Sequence, residues 1–285
     1  MYIWGLPRID FTQAADHIAA KMKFDITDLL ENWDYQPGQL AVRKFTGDDG
    51  SEKIQMRLDL GILQMNADGR PDGKRPMGSE SWFDFHLDRL EKYKEENDGE
   101  DEGYLLRSND ISRLQQEAIQ YHHRYICFYQ LSEYKKVVRD AERNLRVFEF
   151  VDDYAETDEL SWSLQQFRPQ LIMMLTRAEG SLAIDEEEYE HAKDCIREGI
   201  EALKEFYVDF ERQDLMESSG EISSLEQWLS EVEQNLEGDP DSKPEPATTQ
   251  LSEIEKLELD LKEAIMREDY EHAAVVRDKL KKLKP

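Results

Sequence analysis

Residues 111–148 read ISRLQQEAIQYHHRYICFYQLSEYKKVVRDAERNLRVF, and this stretch decides the fold class. Its apolar residues recur every three or four positions, the spacing that places side chains on one face of an α-helix. They form two stripes on either side of a short polar turn: Ile111, Leu114, Ala118, Tyr121, Tyr125 and Phe128, then Tyr134, Val137, Val138, Ala141, Leu145 and Phe148. The stretch therefore predicts two consecutive helices.

Helical spacing continues downstream as far as residue 236. One stripe starts near Pro169, which a first helical turn tolerates, and another follows the capping-box pattern Ser223-x-x-Glu226. The three further stripes are Leu171, Met174, Leu175, Ala178 and Leu182; Tyr189, Ala192, Ile196, Ile200, Leu203, Tyr207 and Phe210; and Leu225, Leu229, Val232 and Leu236. Together the stripes predict a mainly α-helical body.

The pattern at residues 131–137 is echoed at residues 187–192. In both places a helix ends, a polar turn follows, and a tyrosine opens the next helix with a small apolar residue one turn later. This pattern resembles the helix–turn–helix unit of tetratricopeptide-type repeats, whose stacked hairpins share a continuous core. The echo returns after 55 residues, whereas those repeats have a period of about 34. A generic helical bundle is therefore the alternative interpretation of residues 110–210.

The residues before position 66 show a different pattern. Apolar spacing over residues 12–33 predicts a helix with a break near Asp25. Residues 40–45 and 54–60 then predict two strands, because the second run alternates apolar and polar side chains. Gly61 suggests a bulge or bend. With a continuation over residues 62–65, we expect a small antiparallel sheet of two or three strands.

Four regions follow from these patterns. The sheet is expected in an N-terminal region (1–105), which also holds a short helix over 82–93 and an acidic loop over 95–103. A helical, tetratricopeptide-like body follows (106–236). Residues 237–250, EGDPDSKPEPATTQ, have no large apolar side chain and are predicted to be a linker. The linker tethers a C-terminal two-helix hairpin (251–285), so the predicted fold class is mainly α with a small sheet.

The charge of the chain argues against some classes of partner. Its 64 acidic and 36 basic side chains give a net charge of −28. Nucleic acids and anionic membranes attract proteins through clustered Lys and Arg. We therefore predict no direct binding to nucleic acid and no binding to membranes.

The remaining composition indicates a cytoplasmic protein without catalytic machinery. Cys127 and Cys195 lie within helical stripes and outside any CxxC pattern, which excludes a disulfide framework and disfavours zinc. There is no N-terminal signal pattern and no apolar run of ~18 residues. His122 and His123 are adjacent on a helix, so they point about 100° apart and cannot chelate one metal together. We find no common catalytic motif, and we predict no catalytic residue, no metal and no cofactor.

The C-terminal residues predict two amphipathic helices. Ser252-x-x-Glu255 is a capping box for the first helix, which runs through Arg267 with Ile254, Leu257, Leu261, Ala264 and Ile265 along one face. Glu268-Asp269 forms the turn. The second helix carries an inner stripe of Tyr270, Ala273, Ala274, Arg277 and Leu280. The two alanines permit close approach of the helix backbones.

The run EDYEHAAVVRDKL, residues 268–280, with Glu263-Ala264 before it, resembles the UVR motif of the bacterial excision-repair subunits UvrB and UvrC. McsA-like regulators of Clp-type proteases also carry this motif. The resemblance implies an antiparallel helical hairpin that binds proteins, often another such hairpin or a second copy. It implies binding through Leu257, Leu261, Ala264, Tyr270, Ala273, Ala274, Arg277, Asp278 and Leu280. The chain has no helicase motif and no nuclease domain, so it is not an excision-repair subunit, and it lacks the paired CxxC clusters expected in McsA-like proteins.

A second candidate site lies in the predicted sheet and the turn after it. It comprises five residues: Arg57, Asp59, Arg70, Asp72 and Arg75. Arginines bind phosphate and carboxylate groups through their planar donors. The alternative is a solvated sheet face whose turn is fixed by salt bridges. The primary hypothesis is thus a protein-binding adaptor or regulator; the others are an enzyme or anionic-ligand sensor using this cluster, and an accessory factor in excision repair.

Overall fold

The computed structural model describes residues 25–36, 39–238, 246, 257, 261 and 270–283. The protein is mainly helical, which confirms the predicted fold class. Its helices are α1 (Thr27–Glu31), α2 (Trp82–Glu96), α3 (Ser108–Gln130), α4 (Tyr134–Tyr154), α5 (Asp158–Gln165), α6 (Arg168–Asp185), α7 (Tyr189–Asp209), α8 (Gln213–Met216), α9 (Gly220–Gly238) and α10 (Tyr270–Leu283), with a 3₁₀ turn at Pro76–Gly78.

The predicted sheet is present and has three antiparallel strands in the order β1-β2-β3. Their bounds are β1 (Ala41–Thr46), β2 (Glu52–Leu58) and β3 (Gly61–Asn66). Pairing is regular on both sides of β2, with Arg43 opposite Gln55 and Ile54 opposite Met65. The chain reverses at Asp59–Leu60, so it bends one residue before Gly61, and no bulge interrupts the described register.

One face of the sheet joins the hydrophobic core of the helices. Ile54 and Met56 of β2 belong to the same buried cluster as Leu114 of α3 and Val147 of α4. Because side chains alternate along a strand, the residues between them point to the opposite face of the sheet. This alternation leaves a polar outer face, on which Gln55 stands.

The helices of the body are joined by turns that share one backbone geometry. Ser132, Glu187 and Glu211 each adopt a positive φ, of 57°, 62° and 53°, just after a helix. In each turn the next N–H donates to a carbonyl five residues earlier, at 2.7–2.9 Å. This geometry satisfies carbonyls at the helix end, a role that glycine usually fills. Tyr134 and Tyr189 open the following helices, as the echo in the sequence predicted.

The helices stack in a chain of neighbours, α3 on α4, α4 on α6, α6 on α7 and α7 on α9. The contact between α6 and α7 is unusually close, because a Cβ atom at Gly199 would lie 2.0 Å from the Oγ1 atom of Thr176. This stacking is compatible with repeated hairpins. The tetratricopeptide resemblance itself stays a prediction.

The structure changes three details of the predicted elements. The helix at 82–93 is confirmed and extends to Glu96, so the acidic loop begins later than expected. The capping box at Ser223 is wrong, since α9 starts at Gly220 and the hydroxyl of Ser219 accepts from the N–H of Ile222 at 3.2 Å. Helix α5 was not predicted.

The helix predicted over residues 12–33 is described only in part. Helix α1 lies within this range, whereas residues 1–24 lie outside the described residues.

Candidate functional site

A buried carboxylate fixes the position of the turn that follows β3. Glu117 of α3 is fully buried. It accepts hydrogen bonds from the backbone N–H groups of Trp82 at 2.8 Å and Phe83 at 3.2 Å, at the start of α2. It also forms ion pairs with Arg70, at 2.9 Å, and with Arg143 of α4. One carboxylate therefore joins two helices to the turn that contains Arg70.

A second buried ion pair holds the preceding residues of the same turn. Arg124 of α3 and Asp140 of α4 are each 1% exposed and form two parallel hydrogen bonds, at 2.7 and 2.8 Å. The remaining terminal nitrogen of Arg124 donates to the carbonyls of Asn66 at 3.0 Å and Gly69 at 2.7 Å. Arg139 donates to the carbonyl of Ala67 at 2.9 Å. These arginines stabilise the backbone of the turn.

The structure therefore gives three of the predicted ligand-binding residues protein partners. Arg70 and Asp72 lie together, 3.4 Å apart, beside Glu117. Asp72 also accepts the backbone N–H of Lys74 at 3.0 Å. Arg75 stands apart from them and forms an exposed ion pair with Glu80. The sequence left two interpretations open, an anion-binding cluster or a turn fixed by salt bridges. The contacts of Arg70 match the second.

The other two predicted residues meet through an aromatic side chain. The hydroxyl of Tyr35 donates to Asp59, at 2.5 Å, and this bond to a carboxylate raises the pKa of Tyr35. The ring of Tyr35 lies over the guanidinium of Arg57, with 4.8 Å between the ring centre and Cζ. Sequence reasoning missed Tyr35, because it lies more than twenty residues before Arg57. The five residues thus divide into three groups with different partners.

A cavity of about 560 Å³ lies elsewhere, between α2 and the residues that lead into α3. Its lining consists of Arg89, Lys92, Tyr93, Glu96, Gly103, Tyr104, Leu105, Arg107 and Asp110. None of the five predicted ligand-binding residues is part of this lining.

His86 of α2 lies close to that cavity and is fully buried. Its Nδ1 atom is 3.3 Å from Arg89, and its Nε2 atom is 3.9 Å from Asp110. Burial disfavours the charged imidazolium and lowers the pKa of His86 to about 4. The side chain is therefore neutral near pH 7. In the described part of the chain, no group of three or more His, Cys, Asp or Glu residues is placed to hold a metal ion.

Helix α10 is the described part of the predicted C-terminal hairpin. Val276 is fully buried and Leu280 is 7% exposed, one turn apart on the same face. The body's core, as far as the described residues define it, does not include either of them. Val275 is 54% exposed, on a different face. The helix therefore has a buried aliphatic stripe and an accessible surface.

The structure corrects the predicted inner stripe of this helix. Arg277 is exposed, whereas Val276, which the sequence reasoning left out, is buried. Ala274 is half-buried. The side chains of Tyr270, Ala273 and Asp278 lie outside the described residues.

The first helix of the predicted hairpin is described at two positions. Leu257 and Leu261 have helical backbone and half-buried side chains. Ala264, the turn at residues 268–269 and the capping box at 252–255 lie outside the described residues.

Comparison with known families identifies the C-terminal segment. Residues 252–284 match the UvrB/uvrC motif. This match confirms the resemblance to the UVR motif, and α10 forms its second half. No curated protein and no solved structure matches the chain. The UVR motif covers only the C-terminal segment, so it does not assign the body to a family. Among the described helices, none is long and apolar enough to cross a membrane.

Proposed function

We propose that this protein is a non-catalytic adaptor or regulator that binds another protein through its C-terminal UVR hairpin. The observation that carries this proposal is the UVR match at residues 252–284, since motifs of this kind form interaction modules. Helix α10 supports it, because Val275 leaves apolar surface exposed beside the buried Val276 and Leu280.

The charge distribution favours contact at the same end of the chain. Residues 251–285 contain nine acidic and eight basic side chains, a net charge of −1, so the other residues carry −27. Helix α10 itself has four basic and two acidic residues. An acidic partner, such as a second copy of this chain, therefore meets less repulsion at the UVR hairpin than at the body.

The proposed contact residues are those that match the motif, with Val276 supporting the hairpin from within. They are Leu257, Leu261, Ala264, Tyr270, Ala273, Ala274, Arg277, Asp278 and Leu280. The partner we propose is another UVR-type hairpin, on a different protein or on a second copy of this chain. Only the motif supports a role in excision repair. Because fold elements recur in proteins of unrelated function, the motif by itself does not assign that role.

We also propose that the protein acts in the bacterial cytoplasm and does not bind nucleic acid directly. Its strongly acidic charge is expected to repel DNA. A gel-shift titration at physiological salt should show no retarded band at micromolar protein. A band that weakens as salt is added would contradict this part of the proposal.

A truncation tests the main proposal. The variant 1–238 ends with α9 and removes the whole UVR segment. Sedimentation velocity of both chains shows whether the segment mediates self-association, and affinity capture shows whether it binds a different protein. We expect one of these associations in the full chain and neither in the 1–238 variant. Equal association by both chains would move the binding surface to the body.

A further inference from the structure

The outer face of the sheet places two arginines beside each other. Arg43 of β1 lies opposite Gln55, and Arg57 follows Gln55 by two residues on β2, hence on the same face. Such diagonal neighbours are typically ~7–8 Å apart at their backbones, within reach of two long side chains. Two guanidinium groups therefore share one small area of the protein.

Neither guanidinium is neutralised by a carboxylate within the described residues. Arg43 donates from Nε to the amide oxygen of Gln55 at 2.8 Å, and Arg57 donates from Nη1 to the carbonyl of Gly61 at 3.2 Å. The Nε atom of Arg57 is buried and has no hydrogen-bond partner in the part of the chain that the structure describes. Arg57 as a whole is 8% exposed. By contrast, Arg124, which is 1% exposed, has a bidentate bond to Asp140.

Two aromatic rings hold these guanidinium groups. The ring centre of Trp33 is 4.0 Å from Cζ of Arg43, and that of Tyr35 is 4.8 Å from Cζ of Arg57. Rings attract a cation, but they carry no net charge and leave the planar edge of the guanidinium available. A buried cation without an anion is costly, since desolvation is not offset by an ion pair. This cost is notable in a chain with 28 more acidic than basic side chains.

We propose that Arg43 and Arg57 form a binding site for a phosphate group, either inorganic phosphate or a small phosphate monoester. Two adjacent guanidinium groups match the charge of a phosphate dianion, and the donors that Gln55 and Gly61 do not engage remain for its oxygens. Arg43 is half-buried and offers the accessible side, while Arg57 supplies the unpaired Nε beneath. The carboxylate of Asp59 accepts the hydroxyl of Tyr35 at 2.5 Å, and exposed charges more than ~8 Å away are largely screened at physiological salt.

Calorimetric titration of the full chain with inorganic phosphate, at constant ionic strength set by sodium chloride, tests the site. We expect saturable binding at one site. Arg43→Gln and Arg57→Gln should each weaken it at least about tenfold, because each removes charge-assisted hydrogen bonds. The matched control is Arg75→Gln, whose arginine pairs with Glu80 at the surface and should leave affinity unchanged. Phenyl phosphate is titrated in parallel. Tighter binding of phenyl phosphate than of inorganic phosphate would indicate that the site prefers a monoester, and the reverse would indicate the free ion.

Thermal melting keeps the test valid if a variant folds poorly. Phosphate should raise the Tm of the wild type and of Arg75→Gln, because a ligand stabilises the state that binds it. Phosphate should not raise the Tm of Arg57→Gln. In phosphate-free buffer, the Tm of this variant should equal or exceed that of the wild type, because the substitution removes an unpaired buried charge. If Arg57→Gln does not fold, Arg43→Gln decides. No binding by the wild type at about 10 mM of either probe, or an equal loss in Arg75→Gln, would overturn the proposal.

Discussion

The helical body and the UVR segment share one apolar periodicity, but different side chains stabilise them. The body buries charged groups along with apolar ones, and Glu117, Arg124 and Asp140 are at most 1% exposed. In α10 the buried side chains that the structure describes are aliphatic, Val276 and Leu280. The body has therefore committed many of its charges to its own fold, whereas no charged side chain is buried among the described residues of α10. Periodicity predicts helices in both and does not distinguish these two uses.

The largest expected effect concerns the buried carboxylate of the body. Glu117→Ala should destabilise the protein by about 3–5 kcal/mol, because it leaves Arg70 and Arg143 buried without their anion. Urea unfolding followed by circular dichroism measures this change. The control is Glu80→Ala, which breaks the exposed pair with Arg75 and should cost no more than about 1 kcal/mol. Equal effects of the two variants would show that the buried network is not a main source of stability.

The next effect concerns the close contact between α6 and α7. Gly199→Ala places a methyl group against Thr176 and should cost about 1–3 kcal/mol through overpacking. Gly61→Ala is the matched control, since a Cβ atom there has no neighbour within 4 Å. Thermal unfolding should show a clear drop in Tm for the first variant and little change for the second. If Gly199→Ala has the same Tm as the wild type, α6 and α7 do not pack as closely as the structure shows.

A third effect depends on pH. The pKa of His86 is lowered to about 4 in the folded protein, below the ordinary value of 6.5. The unfolded chain therefore binds the proton more readily between these values, and the stability contributed by His86 is present above pH 6.5 and is lost as the pH falls towards 4. From pH 7 to pH 5 the loss should be about 1–2 kcal/mol. His86→Gln should remove that part of the pH dependence in urea unfolding, and replacement of the exposed His191 by Gln should not.

The sequence predicted the elements well where one face of a helix or strand is buried. Ile54 and Met56 alternate with polar residues, and the stripe from Ile111 to Phe128 keeps helical spacing, so burial could be inferred from both. Polar partners could not be predicted in this way. Arg57 and Arg70 are close in sequence, yet one lies beneath Tyr35 and the other beside Glu117. Long-range pairing of strands and helices decides such contacts, and periodicity carries no information about it.

The boundaries of α9 show the same limit at a smaller scale. Ser223 and Glu226 fit a capping box, but Ser219 caps the helix four residues earlier. Both serines are chemically suitable, and Ser219 is buried where the chain turns after α8. In the UVR segment, Val276 was missed because it stands beside the motif's signature residues. Local patterns therefore located the segment better than its buried positions.

The smallest expected effect on the body comes from a change in the UVR hairpin. Ala273 is one of the two alanines that the sequence predicts to lie where the two helices of the hairpin approach each other. Ala273→Arg should disrupt the hairpin, since overpacking costs about 1–3 kcal/mol and a buried charge adds to it. The main unfolding transition of the body should stay within about 0.5 kcal/mol of the wild type. A large shift of that transition would mean that the hairpin and the body unfold as one unit.

Association of this same variant tests the central claim most directly. Sedimentation velocity and affinity capture are run on the wild type, Ala273→Arg and the 1–238 truncation. Val208→Arg serves as the control, because it adds the same charge at an exposed position of the body, on α7. If the UVR hairpin is the binding element, Ala273→Arg associates as weakly as the truncation and Val208→Arg associates like the wild type. Wild-type association by Ala273→Arg, with the helicity of a 249–285 peptide lost, would contradict the claim and place the binding surface on the body.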